Sequence, residues 1–309
     1  MSTVIQYDYD FSPYGQKTRL LLHAAGVDFA IVDTPAVLPR PDLERLGVTY
    51  RRIPIIALGK DVYVDSSKII DLILAKLGKV QQNPADKAYE TYGVNLFAEV
   101  LSLIPLEILT PEFVKDRGTI FPSLGRSDIK TLRPSGLAQF KARLAEIETQ
   151  ILTGAGPFIN GSQIGLADIH VFWPIGWALT NLGLNQEPGL DASSYPKIFK
   201  LLDSLPKPED IKSKAKSLSA EEAHKIITTG DYSAQESYAV EHDNTYGIVA
   251  GTTVAVESFD STPGSHPQYG KLLGTSVNEV VIETDGGVRI HFPRIGYLVR
   301  TLEDAPAKQ

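Results

Sequence analysis

Cysteine is absent from all 309 residues. That excludes disulfides, thiolate metal ligands and a cysteine nucleophile. Any thiol chemistry carried out here must borrow its thiol from a ligand. Methionine occurs once, as residue 1. No apolar run reaches the roughly 18 residues that a membrane span needs, so no membrane association is expected. The opening stretch MSTVIQYDYDF has neither the basic region nor the apolar segment of a secretory signal. A cytoplasmic protein is therefore expected. Basic charge is scarce toward the end of the chain. Residues 219–309 carry 6 Lys and Arg against 13 Asp and Glu, whereas residues 1–218 carry 24 of each. An acidic region on a neutral one has no patch to neutralise phosphates, so no nucleic-acid partner is expected. Four of the six histidines lie in that acidic region (His224, His242, His266 and His291), without metal-ligand spacing. No metal site is expected. The glycine-rich 264–274 segment lacks the phosphate-loop pattern.

What is present is ordinary globular material, 43% hydrophobic and 22% charged, and long enough for two or three domains. Residues 3–7 read as a strand. Ser12-Pro13 then opens a helix, serine as N-cap and proline at the first helical position. The apolar run from Leu20 continues it to Gly26. A second strand follows at 28–32, a turn or two of helix at 39–46, and two strands at 54–58 and 61–64 joined at Gly59-Lys60. Asp65-Ser66-Ser67 caps a further helix. The order β-α-β-α-β-β-α is that of a thioredoxin-like domain over residues 1–80. From Pro84 the periodicity is helical, with a break at Pro105 and further helices at 135–153, 166–181 and 195–205. This gives an all-helical domain over 84–215. Residues 206–219 are polar and proline-containing, and read as a linker or surface segment. After a short helix near 220–228 the pattern turns to strands, at 246–250, 252–257 and 296–301. Two alternating runs flank Asp285-Gly286 within 279–292, a strong hairpin signal. Residues 219–309 are expected to form a small antiparallel β domain, SH3-like or a similar barrel.

Four segments then carry a resemblance. Residues 12–22 (SPYGQKTRLLL), 50–58 (YRRIPIIAL), 61–72 (DVYVDSSKIIDL) and 161–173 (GSQIGLADIHVFW) resemble, in order and spacing, motifs of the glutathione S-transferase superfamily. The match runs over about residues 1–205. The wording of 38–47 and 50–54 looks most like a fungal branch with a C-terminal β-rich extension. The resemblance implies glutathione as cosubstrate and a homodimer. It also implies addition of the glutathione thiolate to a small hydrophobic electrophile, or glutathione-dependent double-bond isomerisation.

The resemblance also assigns roles. Ser12 would donate a hydrogen bond to the thiolate, which favours the charged form and lowers the thiol pKa. Its residue-level reading is a helix cap, and both can hold. Tyr7, at the end of the first strand, is the rival donor, with Tyr9 and Tyr14 behind it. Ile53-Pro54 would be the cis-proline element, the backbone of Ile53 pairing with the cysteinyl part of glutathione. Asp65 and Ser66 would hold the γ-glutamyl end, though both residue types also cap helices. Arg52 would meet the glycine carboxylate, an arginine being suited to bidentate pairing; otherwise it is a solvated charge or pairs with Asp42 or Glu44. Asp168 lies in a helix-start box whose usual hydroxyl residue is here Gly165. Phe11, Phe97, Leu101, Phe113, Trp173 and Trp177 could line a hydrophobic wall, but aromatics at helical spacing are more often core. The competing expectation is a non-catalytic binding or regulatory protein of the same fold, whose β extension recruits a partner. Reduction of the glutaredoxin kind is disfavoured wherever it needs a protein thiol.

Overall fold

The structure, a computed structural model, describes residues 2–234, 237–241 and 245–306; His242 lies outside them. The chain divides into two compact units. One comprises Met1–Thr18, Asp28–Leu77 and Lys214–Gln309, the other Arg19–Val27 and Gly78–Ser213.

The first unit is built on one ten-stranded sheet. Its thioredoxin-like part follows the expected order: β1 (Val4–Asp8), α1 (Pro13–Ala24), β2 (Phe29–Asp33), α2 (Pro41–Glu44), β3 (Ile55–Leu58), β4 (Asp61–Val64) and α3 (Ser66–Leu72). β1 pairs in parallel with β2 and antiparallel with β3, and β3 pairs antiparallel with β4. Gly47 and Gly59 end α2 and turn β3 into β4 with left-handed backbones.

The C-terminal strands are β6 (Thr253–Ser258), β7 (Gln268–Thr275), β8 (Glu279–Glu283), β9 (Arg289–Pro293) and β10 (Tyr297–Thr301). They pair antiparallel in the order β10-β6-β7-β8-β9, the last strand beside the first. They do not stand apart as a third body. β9 runs parallel to β4, with Asp61, Val62 and Tyr63 opposite Arg289, Ile290 and His291. Ile5, Val32 and Val64 share one hydrophobic core with Val256, Ile282, Ile290 and Phe292. The alternation that marks these strands in the sequence therefore faces the core of the thioredoxin-like part, and not a core of their own.

Three local expectations differ. Residues 206–219 are a mostly exposed surface segment and not an unstructured linker, holding a helix (Pro208–Lys214) and strand β5 (Lys216–Ser217), which pairs in parallel with β2. Pro208 and the following Glu209 and Asp210 suit a first helical turn, while only Ile211 and Leu218 are buried apolar anchors. Residues 246–250 form no strand, and the eight-residue β7 runs through the glycine-rich 264–274 segment. Gly270 and Gly274 belong inside that strand because a Cβ at either would come within 2.7 Å of a carbonyl, Glu283 or Ala239. The hairpin at Asp285-Gly286 exists, but its loop is Thr284–Val288, and Gly287 has the left-handed backbone, φ 72°.

In the helical unit, the helix Asp86–Val100 packs on the helix Leu166–Asn181, which is buried along most of its length. Gly93 allows the close approach, since a Cβ there would sit 1.9 Å from the His170 carbonyl. Asp168 accepts from the amides of Gly165 (2.8 Å) and Ile159 (2.7 Å), the half of the capping box that needs no hydroxyl. Phe97 packs on Trp173 and Trp177, with ring centres 4.9 and 5.8 Å apart, and all three are buried.

Candidate functional site

The turn from β1 into α1 is held by polar groups that a strand would normally exclude. Gln6, Asp8 and Thr18 are completely buried. Gln6 Nε2 donates to Asp8 Oδ2 (3.0 Å) and to the Gly15 carbonyl (3.2 Å), and Thr18 Oγ1 donates to Gln6 Oε1 (3.0 Å). Asp8 Oδ1 accepts the Tyr9 amide at 2.7 Å. A Cβ on Gly15 would lie 1.9 Å from Asp8 Oδ1, so only glycine admits this packing. The network fixes the start of α1 and with it Ser12, whose Oγ accepts the Gly15 amide at 3.0 Å. Ser12 is 1% exposed. A hydroxyl that accepts a cap bond keeps its own proton to donate. The cap reading of Ser12 is thus correct, and a donor role remains compatible with it.

Tyr7 is placed differently. It is 1% exposed, inside the hydrophobic core, and its hydroxyl has no hydrogen-bond partner among the described residues. Burial, with the Asp42 charge, pushes its phenol well above the ordinary range.

Ile53-Pro54 is cis, as the resemblance implied; Leu38-Pro39 is cis as well and was not foreseen. The β3–β4 ladder ends at the Ile55–Val64 pair, so the main chain of Ile53 lies beyond it. Asp65 is the N-cap of α3, its Oδ1 accepting the Ser67 amide at 2.8 Å. It is the one non-glycine residue with positive φ (71°) among the described residues. A side chain held in that region costs about 1 kcal/mol or more and persists where its surroundings enforce it. Ser66 follows as the first residue of α3, partly exposed.

Residues sequence reasoning missed surround this pair. Tyr297, on β10, donates its hydroxyl to Asp65 Oδ2 (2.9 Å) and lies 2.8 Å from the Tyr50 hydroxyl. Burial, and then the Asp65 charge, raises both phenols, so they stay protonated donors. Tyr14, two residues after Ser12, is shifted up by burial and by the charge of Asp65, with Arg52 acting in the opposite sense.

Arg52 is ion-paired with an acid, as its alternative reading had it, but the acid is Asp260 and not Asp42 or Glu44. Its Nη2 donates to Asp260 Oδ1 (2.6 Å) and Ser261 Oγ (3.3 Å). Burial pushes the Asp260 carboxyl up, but hydrogen bonds from Arg52 and Ser258 outweigh it and hold it below the usual range. A carboxylate of the chain itself therefore sits where the ligand's glycine carboxylate was expected. Arg51 is buried, with Nη1 3.1 Å from His266 Nε2. No cluster of three or more potential metal ligands occurs among the described residues. No helix among them is long and apolar enough to cross a membrane.

Comparison with known proteins bears on these residues. Residues 7–80 match the family model of the glutathione S-transferase N-terminal domain, and residues 99–209 match a domain of unknown function (DUF7962). No curated protein matches the chain in sequence. Among solved structures, a GST-like protein from Pseudomonas syringae is 22% identical with a TM-score of 0.66. That likeness covers 97% of this chain and 100% of that one. The C-terminal strands are thus part of a fold shared with a bacterial protein. A glutathione S-transferase from Methylobacillus flagellatus, solved with glutathione (GSH) bound, is 16% identical with a TM-score of 0.51, covering 69% of this chain and 100% of that one. At these identities the likeness is one of fold.

Proposed function

We propose that this chain, whose residues 7–80 match the glutathione S-transferase N-terminal domain, is a glutathione-dependent transferase of that superfamily with its ligand site on the first unit. Ser66 carries this reading. Its hydroxyl stands on the first turn of α3 beside the Asp65 carboxylate, where a strained backbone is maintained. The γ-glutamyl end of glutathione bears a carboxylate and an ammonium on one carbon. A hydroxyl donor next to a carboxylate acceptor is the matching pair. The backbone of Ile53 takes the cysteinyl segment. Ser12 donates to the sulfur, favouring thiolate over thiol.

With the chain's own cysteines absent, the bound tripeptide is the nucleophile. Conjugation consumes it by forming a carbon–sulfur bond to a hydrophobic electrophile. Isomerisation adds and then expels it, and both need the same activated thiolate. Ser12 is preferred to Tyr7 as donor because, although both are buried, Tyr7 packs within the hydrophobic core whereas Ser12 stands at the turn into α1. A homodimer and a place in fungal secondary metabolism rest on the sequence resemblance alone; solution mass tests the first. The binder reading has one observation in its favour, the Asp260 carboxylate on Arg52.

The test is calorimetric titration of glutathione into the wild type and Ser66→Ala, followed by turnover on a panel of aryl halides and other electrophiles. Binding that weakens about tenfold in the variant supports the site, since a hydrogen bond to a charged group contributes about 1.5–3 kcal/mol. Equal affinities would leave Ser66 as a helix residue only. Binding without turnover on any electrophile would favour the binder.

A further inference from the structure

The C-terminal strands grip the segment that leads to the cis-proline almost residue by residue. The Leu46 carbonyl accepts from Thr284 Oγ1 (2.9 Å), and the Gly47 carbonyl from Gln268 Nε2 (2.9 Å). Gln268 Oε1 accepts the amides of Thr49 (2.6 Å) and Tyr50 (3.0 Å). Tyr50 meets Tyr297, Arg51 meets His266, and Arg52 meets Asp260. Gln268 is 1% exposed, so its amide is committed to this clasp.

We propose that the C-terminal strands complete the glutathione-binding surface, and that Tyr297 is a positioning residue that holds the Asp65 carboxylate for the ligand's ammonium group. The proposal rests on the glutathione reading above. Asp65 Oδ1 is engaged by the Ser67 amide and Oδ2 by the Tyr297 hydroxyl. Each oxygen keeps a second lone pair, so the carboxylate is fixed in orientation while still able to accept. Tyr297 is itself fixed. Its hydroxyl meets that of Tyr50, and its ring packs against Phe292 at 5.3 Å and Tyr50 at 6.4 Å. A side chain locked before the ligand arrives loses less freedom on binding. Asp65 and Tyr297 are 232 residues apart in the chain. Residues 219–309 are thereby part of the site itself.

The experiment compares two ligands on the full-length protein. One is glutathione. The other is its analogue lacking the γ-glutamyl amino group, N-glutaryl-cysteinylglycine. Tyr297→Phe keeps the ring and removes the bond to Asp65. Glutathione affinity is expected to fall about tenfold while affinity for the analogue changes less than twofold, because the analogue offers Asp65 nothing to hold. Tyr50→Phe acts on the same chain from its far end, and is expected to cost about threefold on glutathione and nothing on the analogue. Equal losses on both ligands would make Tyr297 merely structural and overturn the proposal. Unchanged or tighter glutathione binding would overturn it too. In each of these cases wild-type binding of glutathione would stand. Failure of the wild type to bind either ligand would instead remove the glutathione reading, and this proposal with it.

Discussion

Glu279→Gln removes one charge from a buried chain of four side chains that ties the C-terminal strands to the rest of the first unit. Lys68 Nζ lies 2.6 Å from Glu279 Oε2, and the same oxygen is 3.3 Å from His291 Nδ1. His291 Nε2 is 3.0 Å from Asp61 Oδ1, and the imidazole stacks on Tyr63 with ring centres 4.4 Å apart. Asp61 Oδ2 also accepts the amides of Ser233 and Ala234. Burial pushes the Glu279 carboxyl up, but the hydrogen bonds from His291 and Lys68 outweigh it. They bring it from the ordinary 4.5 down to about 2. A folded-state value below the unfolded one stabilises the protein above the unfolded value. That stability is lost as pH falls from 4.5 through 2. The difference corresponds to about 3 kcal/mol at neutral pH, of which roughly 2 kcal/mol is gone by pH 3. Urea unfolding of both proteins, followed from pH 7 to pH 3, reads this out. At pH 7 the variant should be about 2–3 kcal/mol less stable, since glutamine still accepts hydrogen bonds but carries no charge. The gap should close as pH falls, because the wild type protonates and the variant has nothing to lose there. Stability curves that run parallel, or a gap at pH 7 below about 0.5 kcal/mol, would refute the reasoning.

Two further outcomes bear on the chemistry. Ser12→Ala is expected to lower kcat by about 10- to 100-fold with little change in glutathione affinity, since it removes a donor to the thiolate; it should also cost about 1 kcal/mol of stability as a lost cap. An unchanged rate would take Ser12 out of catalysis. Asp260→Asn weakens the internal claim on Arg52, so the preference for glutathione over its glycine-esterified form should rise about threefold, the scale of a partly exposed ion pair. An unaltered preference would mean that Arg52 does not face the glycine end.

Local signals in the sequence were sufficient wherever one residue or one short run decides the structure. Ser12-Pro13 and Asp65 cap their helices as read, and helix 166–181 has the expected limits. Asp65-Ser66 and Ile53-Pro54 were found through four motifs in register. What was not legible depends on contacts between distant segments. Nothing near Arg52 announces Asp260, and nothing in strand β10 marks Tyr297 as the partner of a residue 232 positions earlier. Gln6, Asp8 and Thr18 look like misplaced polar residues until α1 folds back over β1 and they satisfy one another. Strand β7 was hidden because its two glycines carry the signal of a loop, and only the neighbouring carbonyls explain them. The three-domain reading followed from composition, which shifts near 219; no composition reveals that β9 will pair with β4.

That last pairing changes what can be removed from the molecule. The seam between the thioredoxin-like part of the fold and the acidic remainder runs through a hydrogen-bonded ladder and a shared apolar core. Cutting the chain near residue 218 would strip β4 of its neighbour and lay bare Val62 and Val64 along an open sheet edge, a surface prone to self-association. Gene fusion or loss, which elsewhere trades whole modules at exposed linkers, has no clean place to act here. These strands are as hard to discard as any other part of the core.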